Sequence, residues 1–247
     1  MFWSFIYSPE IFKGSRTVII MIRFTYALVD LSAIVLPFLF SFHPKIKFYK
    51  EWKSFFPALI LSAVIFIIWD IIFTNSGVWE FNDRYLMGYY FFSIPVEEIL
   101  FFICIPYACV FTYHCFETLI KPRILGRSVF VSSTLLLFLG SFALIYHSHL
   151  YTSVTFSGLF ILIFYNTFVD KADWLKLFYI SYLVLLIPFF ICNGILTGTG
   201  LDQPVVIYND AKNLGLRLFT IPVEDVFYGM LLILLNITIY EKMKQKV

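Results

Sequence analysis

The pentapeptide Ile94-Pro95-Val96-Glu97-Glu98 returns as Ile221-Pro222-Val223-Glu224-Asp225, each copy lodged in a long apolar run. An acidic side chain at membrane depth is costly unless it is paired, solvated or protonated, so a duplicated pair of acids marks a site. Working outward, adding 127 to a first-half position lands repeatedly on a like residue. Phe81-Asn82-Asp83 falls on Tyr208-Asn209-Asp210, Gly88 on Gly215, Pro95 on Pro222, Glu97 on Glu224, Glu98 on Asp225 and Tyr113 on Tyr240. A register held that long is an internal repeat.

The composition sets the class: 60% hydrophobic residues, 14% charged residues and a mean hydropathy of +0.85 belong to an integral membrane protein, not a soluble one. Stretches of about 20 apolar residues, each enough to cross a hydrocarbon core of roughly 30 Å, recur along the chain. They give seven spans: Val18–Phe42, Phe55–Phe73, Tyr85–Phe116, Ser128–Tyr146, Tyr151–Val169, Leu175–Leu196 and Leu214–Tyr240. Spans one to three overlay on five to seven at the repeat offset, leaving span four as a connector. The expected fold is therefore an all-α integral membrane protein, a single membrane domain over 1–247. It consists of two parallel three-helix repeats, 17–116 and 150–241, with one connecting helix in 117–149. Parallel repeats are related by an axis along the membrane normal, and their interface is the favoured place for a site.

Lys and Arg in the short loops set the orientation. Lys45, Lys47, Lys50 and Lys53, then Lys121, Arg123 and Arg127, then Lys242, Lys244 and Lys246 put those segments on the cytoplasmic side of a multi-pass cell-membrane protein. The loops before the motif helices carry Glu80, Asp83 and Arg84, and Asp202, Asp210 and Lys212, and face outward. The N-terminus is then outside and the C-terminus cytoplasmic, against the weaker vote of Lys13 and Arg16. Met1–Arg16 has no short apolar core followed by a small-residue cleavage site, and reads as an ordered or interfacial lead-in rather than a signal peptide. Within the third span Glu97 would lie about 12 residues in, about 18 Å from the outer end and near the midplane. Pro95 and Pro222 would each kink their helix and free a carbonyl one turn earlier, near Phe91 and Leu218.

Other readings of the acids stand beside this one. They could be structural partners, with Arg217 as a counterion to Glu224. Asp70 closes the second span and could join the site, whereas Asp30, whose offset position is Ser157, divides evenly between structural and functional roles. Asn193 is equally an interhelical hydrogen-bonding residue or a site residue. The 31 Phe and 16 Tyr supply packing and interfacial belts first, and ring faces for a cation second.

Several chemistries drop out. Cys104, Cys109, Cys115 and Cys192 lack CxxC spacing and nearby His, so neither disulfides nor a metal site is expected. Gly198-Thr199-Gly200 is short of a dinucleotide fingerprint, and no cofactor is evident. A retinal protein needs a lysine within the last span, and Leu214–Tyr240 has none. A net charge of +2 without a basic tail gives no reason to expect nucleic acid. Asn82-Asp83 and Asn209-Asp210 are too poor in carboxylates for magnesium-diphosphate motifs.

Asp70, Trp79-Glu80-Phe81-Asn82, Tyr85, Gly88 and Pro95-Val96-Glu97-Glu98 followed by Phe101-Phe102, echoed by Asn209, Gly215 and Ile221 to Asp225, resemble the membrane-integral carotenoid cyclases. This is the lycopene cyclase type found either as two small subunits or as both halves fused, and the resemblance runs from about Phe24 to Tyr240. It implies that Glu97, Glu98, Glu224 and Asp225 are the catalytic acids, with Glu97 or Glu224 favoured as proton donor because both halves keep Glu there. It likewise implies substrate contacts from Asp70, Trp79, Phe81, Asn82, Pro95, Asn209 and Pro222. Thr197 stands where the second half would match Asp70, and Val206 where it would match Trp79, so the halves need not be equivalent.

The implied reaction is non-redox. A proton is placed on the terminal double bond of a linear polyene, a ring closes through a carbocation, and a neighbouring proton leaves, giving most readily a β ring from lycopene. The implied partners are a lipid-soluble carotenoid, membrane lipid and other enzymes of the carotenoid pathway. The rivals are a cyclase for longer carotenoids or a carotenoid hydratase within the family, and a proton-coupled transporter outside it.

Overall fold

The computed structural model describes residues 22–119 and 128–245. Lys13, Arg16, Lys121, Arg123, Arg127, Lys246 and the lead-in Met1–Arg16 lie outside the described residues. Among those described, seven helices account for most of the chain: α1 (Thr25–Phe40), α2 (Trp52–Asn75), α3 (Val96–Leu119), α4 (Val129–Ile145), α5 (Leu150–Phe164), α6 (Leu175–Leu196) and α7 (Val223–Lys244). Five spans are long and apolar enough to cross a membrane: Phe48–Asn75, Val96–Leu119, Leu150–Val169, Leu175–Leu196 and Val223–Lys244; α1 and α4 are shorter apolar helices. A π-helical turn, Tyr165–Val169, extends α5. The protein is an all-α membrane protein. Exposed Leu, Ile, Val and Phe along α1, α2 and α6 face outward, as a helix surrounded by lipid requires.

The helices exchange partners in pairs. α1 packs on α3 as α5 packs on α7, and α2 packs on α7 as α6 packs on α3, with α3 and α7 in contact at the centre and α4 lying against α5. Three short two-stranded sheets complete the fold: β1 (Trp79–Phe81) with β4 (Val206–Tyr208), β2 (Tyr90–Phe91) with β3 (Ile94–Pro95), and β5 (Arg217–Leu218) with β6 (Ile221–Pro222).

The β1–β4 ladder joins the two halves. Trp79 pairs with Tyr208, Glu80 with Ile207 and Phe81 with Val206, so the register is symmetric about Glu80 and Ile207 under the 127-residue offset. The flanking bonds repeat the symmetry: Asn82 N–H donates to Val205 O (2.8 Å) and Asn209 N–H to Val78 O (2.9 Å). The Asn82 amide donates to Pro204 O (3.1 Å) and the Asn209 amide to Gly77 O (2.9 Å). Each Asn side-chain oxygen also accepts from a backbone N–H two residues on, Arg84 and Ala211. Because β1 and β4 meet at one end of the bundle, α3 and α7 both start from that end.

Two expectations from sequence are corrected here. The third and seventh spans do not begin at Tyr85 and Leu214: a two-residue hairpin precedes each helix, and α3 and α7 start at Val96 and Val223. Pro95 and Pro222 therefore kink nothing. Each is the last residue before its helix, in a strand opposite Tyr90 or Arg217, where its missing N–H is not needed. Consequently Glu97 and Glu98 sit in the first turn of α3, not 12 residues in, and Glu224 and Asp225 sit in the first turn of α7. A helix of 24 residues rises about 36 Å, enough to cross the hydrocarbon from its own first turn. The acids thus lie at one end of the helix bundle.

They are kept from water by a roof of protein. Val78, Trp79, Tyr85, Leu86, Leu196, Val205 and Val206 form a second hydrophobic cluster above them, separate from the main core. The hairpins escaped sequence reading because their turns carry no glycine: Phe92 (φ 53°) and Phe219 (φ 58°), equivalent in the repeat, adopt the left-handed conformation at the first turn position. Gly88 and Gly215, also at positive φ, turn the chain into each hairpin.

The Asn clasp makes a measurable prediction. Asn82→Ala and Asn209→Ala each remove a bond between the halves, worth about 1 kcal/mol net. Each should lower the thermal unfolding midpoint in detergent, and the double variant should lose at least the sum; unchanged midpoints would show that the ladder alone joins the halves.

Candidate active site

The second acid of each motif looks inward. A cavity of about 320 Å³ lies between α1, α3, α6 and α7 beneath the β1–β4 roof, and Glu98 and Asp225 both line it, with Asp70, Trp79 and Phe81. The two carboxylates come one from each half and are in electrostatic reach of each other. Tyr26 donates to Glu98 (2.5 Å) and Tyr151 donates to Asp225 (2.6 Å), a matched pair on α1 and α5. Asp225 accepts two further bonds, from the Asn193 amide (2.8 Å) and the Tyr208 hydroxyl (2.9 Å). Burial and the nearby Asp225 carboxylate push the Tyr208 phenol well above its ordinary range, so it stays a neutral donor. Asp70 lies near Glu98 and beside the Trp79 indole, but its Oδ2 and the indole N–H make no hydrogen bond.

The first acid of each motif has a different task. Glu97 Oε1 accepts from Met87 N–H (2.6 Å), and Glu224 Oε1 accepts from Leu214 N–H (2.8 Å) and from the Thr152 hydroxyl (2.5 Å). Met87 and Leu214 are equivalent in the repeat and begin the two hairpin loops. Both acids are fully buried and neither lines the cavity. They brace the loops that carry the chain back into α3 and α7. Asn82, Asn209, Pro95 and Pro222 also stand outside the cavity, in the clasp and the hairpins described above. Arg217 pairs with Asp210 (2.7 Å) rather than with Glu224. Asp30 is fully buried, with no donor to either carboxyl oxygen, and is in electrostatic reach of Glu98 and Glu97 without lining the cavity.

The cavity lies on one side of the repeat axis, and the sequence shows why. Asn193, Leu196 and Gly229 line it; their equivalents 127 residues earlier are Phe66, Trp69 and Phe102. Phe66 stacks on Trp69 with ring centroids 5.5 Å apart and meets Phe102 at 6.0 Å, so three large rings fill the mirror position. A Cβ added at Gly158, on the α5 side of that position, would meet Leu231 at 3.0 Å. Helices α1 and α6 meet only loosely beside the cavity. Leu36 and Ile191, both lining residues, are 61% exposed on the outer surface, so the cavity opens sideways between these helices.

Aromatic rings wall the acid end. Trp79 lies 5.2 Å from Tyr151, 5.9 Å from Tyr208 and 6.2 Å from Tyr228, ring centroid to centroid. Sequence reasoning singled out Glu98, Asp225, Asp70, Trp79 and Phe81, which the cavity gathers, and weighed Asn193. It missed Tyr26, Tyr151, Tyr208 and Tyr228. The available signal was a tyrosine 72 or 74 residues before each inward acid, but the spacing differs by two between halves, which hides Tyr26 and Tyr151 from a fixed offset.

A family model described as Lycopene cyclase matches the chain twice, over residues 23–116 and 148–243. No curated protein and no solved structure gives a significant match.

The brace and the inward acid should separate experimentally. Gln at position 97 or 224 keeps an oxygen for the loop N–H, whereas Glu97→Ala and Glu224→Ala leave a buried donor unmet at about 1–3 kcal/mol. The Ala variants should show faster amide exchange across Met87–Ile94 and Leu214–Ile221 than the Gln variants; equal protection in both would remove the bracing role.

Proposed function

As this chain belongs to the lycopene cyclase family, we propose that it closes the linear end groups of lycopene into β rings by acid–base catalysis, with Glu98 as the acid and Asp225 as the base. One observation carries the assignment: the two inward acids share a cavity but differ in donors. Three donors converge on Asp225 and favour its ionised form, whereas Glu98 has one. Glu98 is the better proton source and Asp225 the better sink. Of the four motif acids, this moves the favoured proton donor from the first acid of a motif, Glu97 or Glu224, to a second one, Glu98.

In the proposed sequence the Glu98 carboxyl proton adds to the terminal double bond of the polyene. The next double bond supplies the electron pair that closes the six-membered ring through its chain-bearing carbon and leaves the positive charge on the other carbon of that bond, next to it in the ring. Asp225 takes a proton from the neighbouring carbon, and the electrons left behind form the ring double bond. Loss on the chain side conjugates that bond with the polyene, which favours the β isomer. Atoms and charge balance without redox change, so the step is an isomerisation. The rings of Trp79, Phe81 and Phe101 line the cavity in which the cation would form, and the roof excludes the water that would otherwise capture it. That dryness, with a base in place, favours a cyclase over a hydratase.

The substrate is delivered from lipid through the gap between α1 and α6. At about 320 Å³ the cavity is near the lower end of ligand pockets, which run from about 300 Å³, so it takes one end of a long polyene at a time. Trp79, Phe81 and Asp70 are the contacts nearest the reacting end. The Lys45–Lys53 segment and the end of α7 meet at the opposite face, where Tyr240 reaches Glu51 (3.4 Å) and Lys244 pairs with Glu117 (2.6 Å). We assign that face to the cytoplasm by its cations. A transporter would need a hydrated path beyond the acids, and the cavity there is mostly apolar, with Ile105, Ala108, Leu232 and Ile233 against the few hydroxyls of Ser32, Thr112 and Tyr182.

In cells accumulating lycopene the chain should turn the pigment from red toward yellow, with β-ring products by chromatography. Glu98→Gln and Asp225→Asn should each cut ring formation by about 10²-fold or more while inserting normally, because each removes one proton-transfer group. Retained activity in either would overturn that residue's role. Gly229→Leu should fill the cavity as Phe102 fills its mirror, giving a folded protein without activity. Gly229→Ala should be tolerated, since its Cβ meets nothing closer than the Tyr182 hydroxyl at 3.4 Å.

A further inference from the structure

The proposed reaction leaves the enzyme changed. After each ring closure Glu98 has lost a proton and Asp225 has gained one, so the site must be reset before the next turnover. Under a roof that excludes water, a free hydroxyl in the cavity that the two acids share does this most directly. Tyr228 supplies one. It lies one turn after Asp225 on α7 and lines the cavity, and its buried hydroxyl has no hydrogen-bond partner. It is in electrostatic reach of Asp70, Glu98 and Asp225 together.

The ring itself is fixed. It packs edge-on against Phe66 at 5.3 Å and Trp69 at 5.7 Å, and meets Tyr151 at 6.1 Å. The other cavity tyrosines are committed: Tyr26 to Glu98, Tyr151 and Tyr208 to Asp225, and Tyr182 to the Val226 carbonyl. The repeat equivalent of Tyr228 is Phe101, so the hydroxyl belongs to one half only. Packing alone would be served by phenylalanine, and a buried hydroxyl without a partner is costly.

Resting on the acid–base reading above, we propose that Tyr228 is the proton relay that returns the proton from Asp225 to Glu98 between turnovers. The phenol gives its proton to the Glu98 carboxylate and takes one from the Asp225 carboxyl. Glu98 ends as the acid, Asp225 as the carboxylate and Tyr228 unchanged. The proton removed from one substrate end is thereby given to the next.

The test uses the full-length protein in lipid vesicles with lycopene deuterated at the carbons that lose a proton, in ordinary water. Wild type should pass deuterium from one molecule into the newly protonated position of another, detectable by mass spectrometry of the ring products. Tyr228→Phe should abolish that transfer and lower steady-state turnover about tenfold or more, while the first turnover slows no more than about twofold. Wild-type products without transferred deuterium would overturn the relay, whatever the variant does. Equal slowing of first and later turnovers in Tyr228→Phe would overturn it too. If wild type formed no rings at all, the cyclase reading itself would fall, an outcome distinct from rings without transfer.

Discussion

Three antiparallel residue pairs between β1 and β4 hold the site together. The strands are short, yet they connect the halves at the end where the acids lie, and the Asn82 and Asn209 side chains lock the same joint from both sides. The roof follows from the joint, since Trp79, Val205 and Val206 are set over the first turns of α3 and α7 by the pairing. A carboxyl at the boundary of a membrane is ordinarily wetted. Here the first turns are dry because protein, rather than lipid alone, covers them.

Duplication supplied two copies of each acid, and the fold gives the copies unequal work. Glu97 and Glu224 spend an oxygen on the backbone of their own loops, a use that requires an acceptor at that place in both halves. Glu98 and Asp225 are left to face one cavity. Replacement of Asn193, Leu196 and Gly229 by Phe66, Trp69 and Phe102 at the equivalent positions closes the second cavity that symmetry would otherwise make. Symmetry thus builds the scaffold, and its breaking builds the site.

Much of this was legible in the sequence. Apolar runs gave the helices, and Leu175–Leu196 matched residue for residue, because a lipid-facing helix must be continuously apolar and lipid does not supply hydrogen bonds. The hairpins before α3 and α7 were absorbed into those runs, since Tyr89 to Phe92 is aromatic throughout and Leu216 to Phe219 is apolar but for Arg217. Phe92 and Phe219 occupy turn positions where glycine is the usual signal. That misplacement carried the acids about half the hydrocarbon thickness too deep and turned two helix-leading prolines into imagined kinks. The division of labour between neighbouring acids was illegible for a different reason. Successive residues on a helix point about 100° apart, and which of the two faces a cavity depends on partners far away in sequence.

Burying Glu98, Asp225 and Asp70 around one cavity works against stability, because each ionised acid opposes the others in a medium that screens poorly. A sequence selected for packing alone would replace them, as the equivalent of Asp70 has become Thr197 and that of Trp79 has become Val206. Tyr26, Tyr151, Asn193 and Tyr208 offset part of this cost by hydrogen bonding, but they are distributed three to one in favour of Asp225. The imbalance is what makes the cluster more than an expensive core. With donors shared equally the two acids would be alike; with donors concentrated on Asp225 they are unlike, which is the asymmetry the proposed acid and base roles need. On the acid–base reading proposed above, a hydrocarbon substrate would offer no charge for the protein to grip, so the protein would have to set the direction of proton flow, and those four hydrogen bonds are the asymmetry that would set it.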